Sequence, residues 1–169
     1  MFEQVTFLTI FQFLQTISIM VGITYYIYNL RMQNKSRHAQ IYLGLWQRLN
    51  SSEMMHALGY DVKMRELITS YEDWRKIYEE DEKYSDGWDF IFTTFEAVGV
   101  FVHEDLLDMR VFLRDAGGVF PRWWRKYGAF IKEHRVRRNS PRYYIECEWL
   151  YEKVMEFAKK NPDFMIPVK

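Results

Sequence analysis

From Gln4 to Leu30 the chain carries no formally charged residue, an unbroken run of 27 positions. A helix rises about 1.5 Å per residue and the hydrocarbon core of a bilayer is about 30 Å thick, so about 20 residues span it and the excess allows tilt or overhang. Tyr25, Tyr26 and Tyr28 fall near one headgroup boundary, where a ring sits in the apolar zone and its hydroxyl in the wet one. A cleaved signal peptide would begin with a positive segment and have a shorter apolar stretch, whereas the start here is Met1-Phe2-Glu3-Gln4. The run therefore predicts a transmembrane anchor over residues 1–30 and a helical domain over residues 31–169. Arg31, Lys35, Arg37 and Arg48 follow the run before any acid appears at Glu53, while only Glu3 precedes it. By the positive-inside rule this places the chain in the cell membrane as a single-pass protein, N-terminus outside and C-terminal domain in the cytoplasm.

Thr9, Gln12, Gln15, Thr16 and Ser18 interrupt the apolar run, and several of them share a helical face. An amide is costly to bury unpaired in lipid. Two readings stand. Either Gln12, Gln15 and Thr16 bond to another transmembrane helix, with Gly22 allowing close approach, or the polar groups bond their own backbone and snorkel.

The remainder has the composition of a packed domain: the chain is 49% apolar and 18% aromatic, too rich in core-forming side chains for disorder. Lys plus Arg and Asp plus Glu are 23 each, so net charge argues for no particular partner. The one cysteine, Cys147, excludes an intramolecular disulfide.

Apolar spacing gives a coarse helical map. Ile41, Leu45, Trp46 and Leu49 predict an amphipathic helix toward Asn50-Ser51-Ser52, continuous with the anchor or separate from it. A short helix to Gly59 follows. Ser70 with Asp73 reads as a capping box opening a helix to about Lys83. Tyr84-Ser85-Asp86-Gly87 reads as a turn with a cap, before a core helix carrying Trp88, Ile91, Phe92, Phe95, Val98 and Val102. Glu104 and Asp105 suit the first turn of the next helix, ended by Gly117-Gly118. Pro121 marks another start, with Phe120, Trp124, Tyr127 and Ile131 on one face. Ser140-Pro141 opens a last helix that stops before Asn161-Pro162. Alternating strand patterns are scarce, and the fold expected is all-α: one N-terminal transmembrane helix followed by a cytoplasmic helical bundle.

Little in the sequence points to catalysis. His38, His56, His103 and His134 form no metal-ligand spacing. Glu53-x-x-His56 is half of the paired motif that a di-iron bundle needs. His103-Glu104-Asp105 lacks the second histidine of a zinc protease helix. Cys147 stands between Glu146 and Glu148, acids that raise a thiol pKa and disfavour thiolate chemistry. No nucleophile elbow, phosphate loop or dinucleotide fingerprint is present. The expectation is a non-enzyme without metal or cofactor.

Charge is unevenly spread. Residues 121–142 hold eight bases and one acid, Glu133, whereas residues 51–89 hold eleven acids and five bases. Three roles compete for the basic stretch: a surface against anionic lipid, a nucleic-acid or other anionic-ligand site, or a solvated face paired with the acidic segment. Its candidate contacts are Arg122, Arg125, Lys126, Lys132, Arg135, Arg137 and Arg138.

Four segments, Phe95-Glu96-Ala97-Val98-Gly99-Val100-Phe101-Val102, Glu104-Asp105-Leu106-Leu107, Trp123-Trp124 and Tyr143 to Leu150, together resemble a known pattern. It is that of a prokaryotic family of small single-pass membrane proteins with a cytoplasmic helical domain of unknown function. The likeness covers about residues 85–155, draws little from Met54 to Tyr84, and brings no catalytic residue. On the residues themselves, Glu96 sits on a largely apolar helix and wants a partner; a structural ion pair with Arg135 or Arg138 is expected, the alternative being a ligand-reading groove.

The chain thus reads as a membrane-anchored helical interaction module, an accessory or assembly subunit of a membrane complex or a homo-oligomer. Its expected partners are membrane lipid and other membrane-protein subunits or itself. The alternative is a binding protein for nucleic acid or another anionic ligand through residues 121–142.

Overall fold

A computed structural model describes residues 2–116 and 118–161. Met1, Gly117 and residues 162–169 lie outside them, as do the side chains of residues 2–5 and 115. Among the described residues there are seven helices and no strand: α1 (Phe2–Leu49), α2 (Ser52–Met64), α3 (Tyr71–Glu80), α4 (Glu82–His103), α5 (Met109–Ala116), α6 (Val119–Arg137) and α7 (Ile145–Lys160). The protein is all-α, and α1 is long and apolar enough to cross a membrane. The amphipathic stretch 41–49 belongs to α1 rather than forming a helix of its own. Two compact units divide the chain, Met1–Gln40 and Ile41–Lys169.

In the first unit every side chain from Thr6 to Gln40 is exposed except that of Asn29, which is half-buried. Thr16, Ser18 and Thr24 donate to the carbonyls of Gln12, Leu14 and Met20 at 2.8–2.9 Å. These are the local bonds by which a hydroxyl satisfies itself on a helix.

In the second unit α4 packs against α2, α3 and α7, and α6 packs against α3 and α7. The expected α4 stripe is buried throughout: Trp88, Ile91, Phe92, Phe95 and Val98 are at most 2% exposed, and Val102 8%. Trp88 is the centre of the core. Its ring stacks on Phe92 at 4.3 Å, meets Tyr127 of α6 edge-on at 4.6 Å and lies 5.1 Å from Trp74 of α3. Such pairs add about 0.5–1.5 kcal/mol each beyond the area they bury. On α6, Phe120, Trp124, Tyr127 and Ile131 are buried together, as their spacing requires.

Helix boundaries depart from expectation where long-range contacts override local signals. Gly59 does not end α2, which runs to Met64: Gly59 does not adopt the positive φ of a helix stop. The Ser70–Asp73 capping box is present, but α3 ends at Glu80 rather than near Lys83. Asp81 turns extended and accepts the N–H of Tyr84 at 3.0 Å, capping α4. The acidic run 79–82 is thereby divided: Asp81 and Glu82 stand at the positive end of the α4 macrodipole, where acids are favourable. Tyr84-Ser85-Asp86-Gly87 is consequently helix, not turn, and Gly87 lies over Ala57 of α2, where an added Cβ would stand 3.2 Å from the Ala57 Cβ.

Glu104 and Asp105 close α4 instead of opening α5: Glu104 caps the C-terminus and Asp105 takes φ 54°. Asp108 does the work assigned to them, accepting the N–H of Arg110 at 2.8 Å just as α5 begins. Likewise Ser140-Pro141 lies in a turn, and α7 starts only at Ile145.

Candidate functional site

The late start of α7 follows from a contact across the core. Tyr144 occupies its N-cap with φ 51° and makes no side-chain cap bond. A bulky residue in the left-handed region persists only when its surroundings hold it there. Its hydroxyl donates to Asp89 at 3.0 Å, its carbonyl accepts from Arg135 at 2.8 Å, and its side chain is 7% exposed. The orphan N–H groups of the first turn are met by Glu96 of α4, whose carboxylate accepts from Glu146 at 3.2 Å and Cys147 at 2.8 Å. Those are the donors a serine at the N-cap would serve, and the dipole of α7 adds to the attraction.

Glu96 therefore does not pair with Arg135 or Arg138. Each of its oxygens accepts a backbone N–H, and both arginines are engaged elsewhere. Arg135 is held in an ion pair with Glu148 and donates to the Tyr143 carbonyl at 2.7 Å, while Arg138 meets Glu79 at 2.7 Å. One turn along α4 from Glu96, Gly99 lies beneath the α7 backbone. A Cβ on Gly99 would stand 2.6 Å from the carbonyl oxygen of Glu146. The segment Phe95–Gly99 and the segment Tyr143–Leu150 are thus two halves of one joint: an acid that caps and a glycine that lets the capped helix approach.

Cys147 belongs to this joint as packing. Its thiol is fully buried and donates to the Phe92 carbonyl at 3.6 Å. Burial, then the Glu96 charge, raises its pKa well above that of an ordinary thiol, which leaves it unreactive.

The basic stretch divides along α6 and just beyond. Lys132 reaches Glu148 at 2.6 Å, and Arg137 reaches both Glu72 and Glu133 at 2.5 Å. Burial disfavours the Glu148 charge, yet the hydrogen bonds from Lys132 and Arg135 outweigh it and its pKa falls. Lys126 donates to the Ile68 carbonyl at 2.5 Å. Arg137 and Arg138 join α6 and its end to Glu72 and Glu79 of α3, inside the acidic segment. Arg122 and Arg125 alone of the seven candidates are exposed and without a partner among the described residues.

A buried polar cluster escaped the sequence reading. Asp61 of α2 is 2% exposed and accepts the Tyr127 hydroxyl and Arg65, the latter at 2.8 Å. Burial raises its pKa, and the bonds from Tyr127 and Arg65 oppose that rise. The Arg65 partner lies one turn along α2, but the burial of Asp61 has no local mark, since Tyr127, which donates to it in the core, is 66 positions away. Glu53 and His56 line an open cleft of about 270 Å³ with Lys83 and Asp86. A second cleft, of about 240 Å³, is lined by Trp46, Leu49, Met54, Phe95 and Arg114. Among the described residues no group of three or more His, Cys, Asp or Glu is placed to hold a metal ion.

In α1, Gln12, Gln15, Thr16 and Gly22 are all exposed. The Thr16 hydroxyl bonds the Gln12 carbonyl, the amides of Gln12 and Gln15 have no partner among the described residues, and a Cβ on Gly22 would meet nothing within 4 Å. No curated protein and no solved structure matches the chain. Over residues 14–154 it matches the sequence pattern of DUF4760, described as a domain of unknown function, and it belongs to that family.

Proposed function

We propose that the chain is a membrane-anchored helical interaction module, an accessory or assembly subunit of a membrane complex or a homo-oligomer, with no catalytic step of its own. α1 crosses the membrane once, N-terminus outside, and Arg31, Lys35 and Arg37 keep the domain cytoplasmic. Lipid covers the apolar surface of α1. The observation that carries the reading is the pair of amides, Gln12 and Gln15, without a partner among the described residues on an exposed, largely apolar helix. An amide left unpaired in hydrocarbon costs several kcal/mol, on the order of its transfer from water, and another helix relieves that cost.

The test is to extract the tagged full chain from its native membrane in mild detergent and measure the mass and composition of the complex by size exclusion and mass spectrometry. A complex containing further subunits or further copies is expected; a strict monomer without companions overturns the reading. The alternative, an anionic-ligand or nucleic-acid site over residues 121–142, draws support from Arg122 and Arg125, which are exposed and unpaired among the described residues. Lys132, Arg135, Arg137 and Arg138, each already bonded to an acid, weigh against it. Retention on heparin that weakens steeply with salt would favour this alternative.

A further inference from the structure

At about 100° per residue, Leu8, Gln12, Gln15, Thr16, Ile19, Gly22 and Tyr26 fall within about a third of the circumference of α1. Ile10, Ile17 and Val21 lie on the opposite side. Gln12 and Gln15 are both in this one stripe, one turn apart, each exposed and without a partner among the described residues. Thr16 is in the stripe too, but its hydroxyl already has the Gln12 carbonyl at 2.9 Å. The unmet hydrogen-bonding capacity is therefore that of two carboxamides.

We propose that this stripe is a self-pairing surface, on which Gln12 and Gln15 join α1 to the α1 of a second copy lying parallel to it. The occupant follows from the chemistry of the amide. A carboxamide carries both N–H donors and a carbonyl acceptor, so it is complementary to itself, as a carboxylate or an ammonium is not. Two copies inserted with the same topology are related by a two-fold axis along the membrane normal, which sets each residue near its own counterpart. Gln12 then meets Gln12 and Gln15 meets Gln15, giving two rungs one turn apart. Gly22, with open space where a Cβ would be, lets the backbones approach beyond the rungs.

The inference rests on the membrane-anchor reading above and is tested so that the two can fail separately. The full chain carrying Cys147→Ala is placed in its native membrane with single substitutions Leu8→Cys, Ile19→Cys or Tyr26→Cys on the stripe, and Ile10→Cys, Ile17→Cys or Val21→Cys opposite. Oxidation is expected to give a disulfide-linked dimer at the stripe positions and little at the others. Adding Gln12→Leu with Gln15→Leu should lower the yield about sevenfold, the fold-change of two interhelical amide bonds, and Gln12→Asn with Gln15→Asn should restore part of it. Equal cross-linking on both faces, or none, overturns self-pairing. Stripe cysteines linked instead to a different protein also overturn it while leaving the interaction-module reading intact. Release of the chain from membranes by alkali overturns the anchor itself, and both proposals with it.

Discussion

The first forty residues and the rest of the chain dispose of polar groups in opposite ways. In α1 before Ile41, the hydroxyls of Thr16, Ser18 and Thr24 bond their own helix, and the amides of Gln12 and Gln15 have no partner among the described residues. In the domain, polar groups are answered from far along the sequence: Glu96 by α7, Asp61 by Tyr127, Arg137 by Glu72. Apolar surface follows the same division, exposed from Phe7 to Leu30 and packed around Trp88. A local pattern can specify the first arrangement completely. The second depends on which helices meet, and each long-range bond is a point where the fold can be broken.

The joint of α4 and α7 is the sharpest such point. Gly99→Ala puts a methyl against the Glu146 carbonyl, and backbone cannot rotate aside as a side chain does. We expect a loss of about 3 kcal/mol, at the top of the usual range for overpacking, read as a lower urea midpoint of the full chain in detergent. Tyr127→Phe removes a donor from buried Asp61 and should cost about 2 kcal/mol; an unchanged midpoint would mean that Arg65 alone suffices. Glu96→Ala strips the cap from α7 at about 1 kcal/mol. Glu96→Gln keeps an acceptor and should cost less, and equal losses would contradict a capping role. Amide hydrogen exchange at Glu146 and Cys147 is the direct readout, with faster exchange expected in Glu96→Ala.

A smaller effect depends on pH. Burial, then the Arg138 charge, lowers the His134 pKa below its ordinary value. The folded state therefore resists protonation that the unfolded chain accepts near pH 6.5. The contribution of His134 is fully present above about pH 6.5 and is lost as pH falls through the lowered folded value. Thermal midpoints followed downward from pH 7 should decline across that window and decline less in His134→Gln. The smallest effect belongs to the other region. Gln12→Leu should change the unfolding midpoint of the domain by less than about 0.5 kcal/mol. A larger change would mean that the two regions do not dispose of their polar groups independently.

Much of the fold was legible in local spacing. The uncharged run, the α4 stripe and the apolar face of α6 are periodic, and periodicity reports which side of a helix is buried whatever it is buried against. The Ser70–Asp73 box was readable for the same reason, since both partners lie within four residues. The resemblance drawn from residues 85–155 pointed to a family of unknown function, which the match to a domain of unknown function fits, and that match takes in residues 54–84 as well.

What local reading missed shares one cause. Ser140-Pro141 carries a strong start signal, yet α7 begins where Glu96, about fifty positions away, can reach its first turn. Glu96 looked like an ion-pair partner because sequence tells only that a carboxylate on an apolar helix needs donors, not whether those donors are guanidinium or backbone N–H. The basic stretch looked like one surface because charge can be counted along a chain, whereas neutralisation depends on which acids the packing brings near. By itself the sequence determined the helices, their buried faces and the apolar span, since these follow from the chemistry of neighbours three and four positions apart. Only the tertiary structure decided helix ends, caps and ion pairs, because those bonds go to whichever group packing places within about 3 Å.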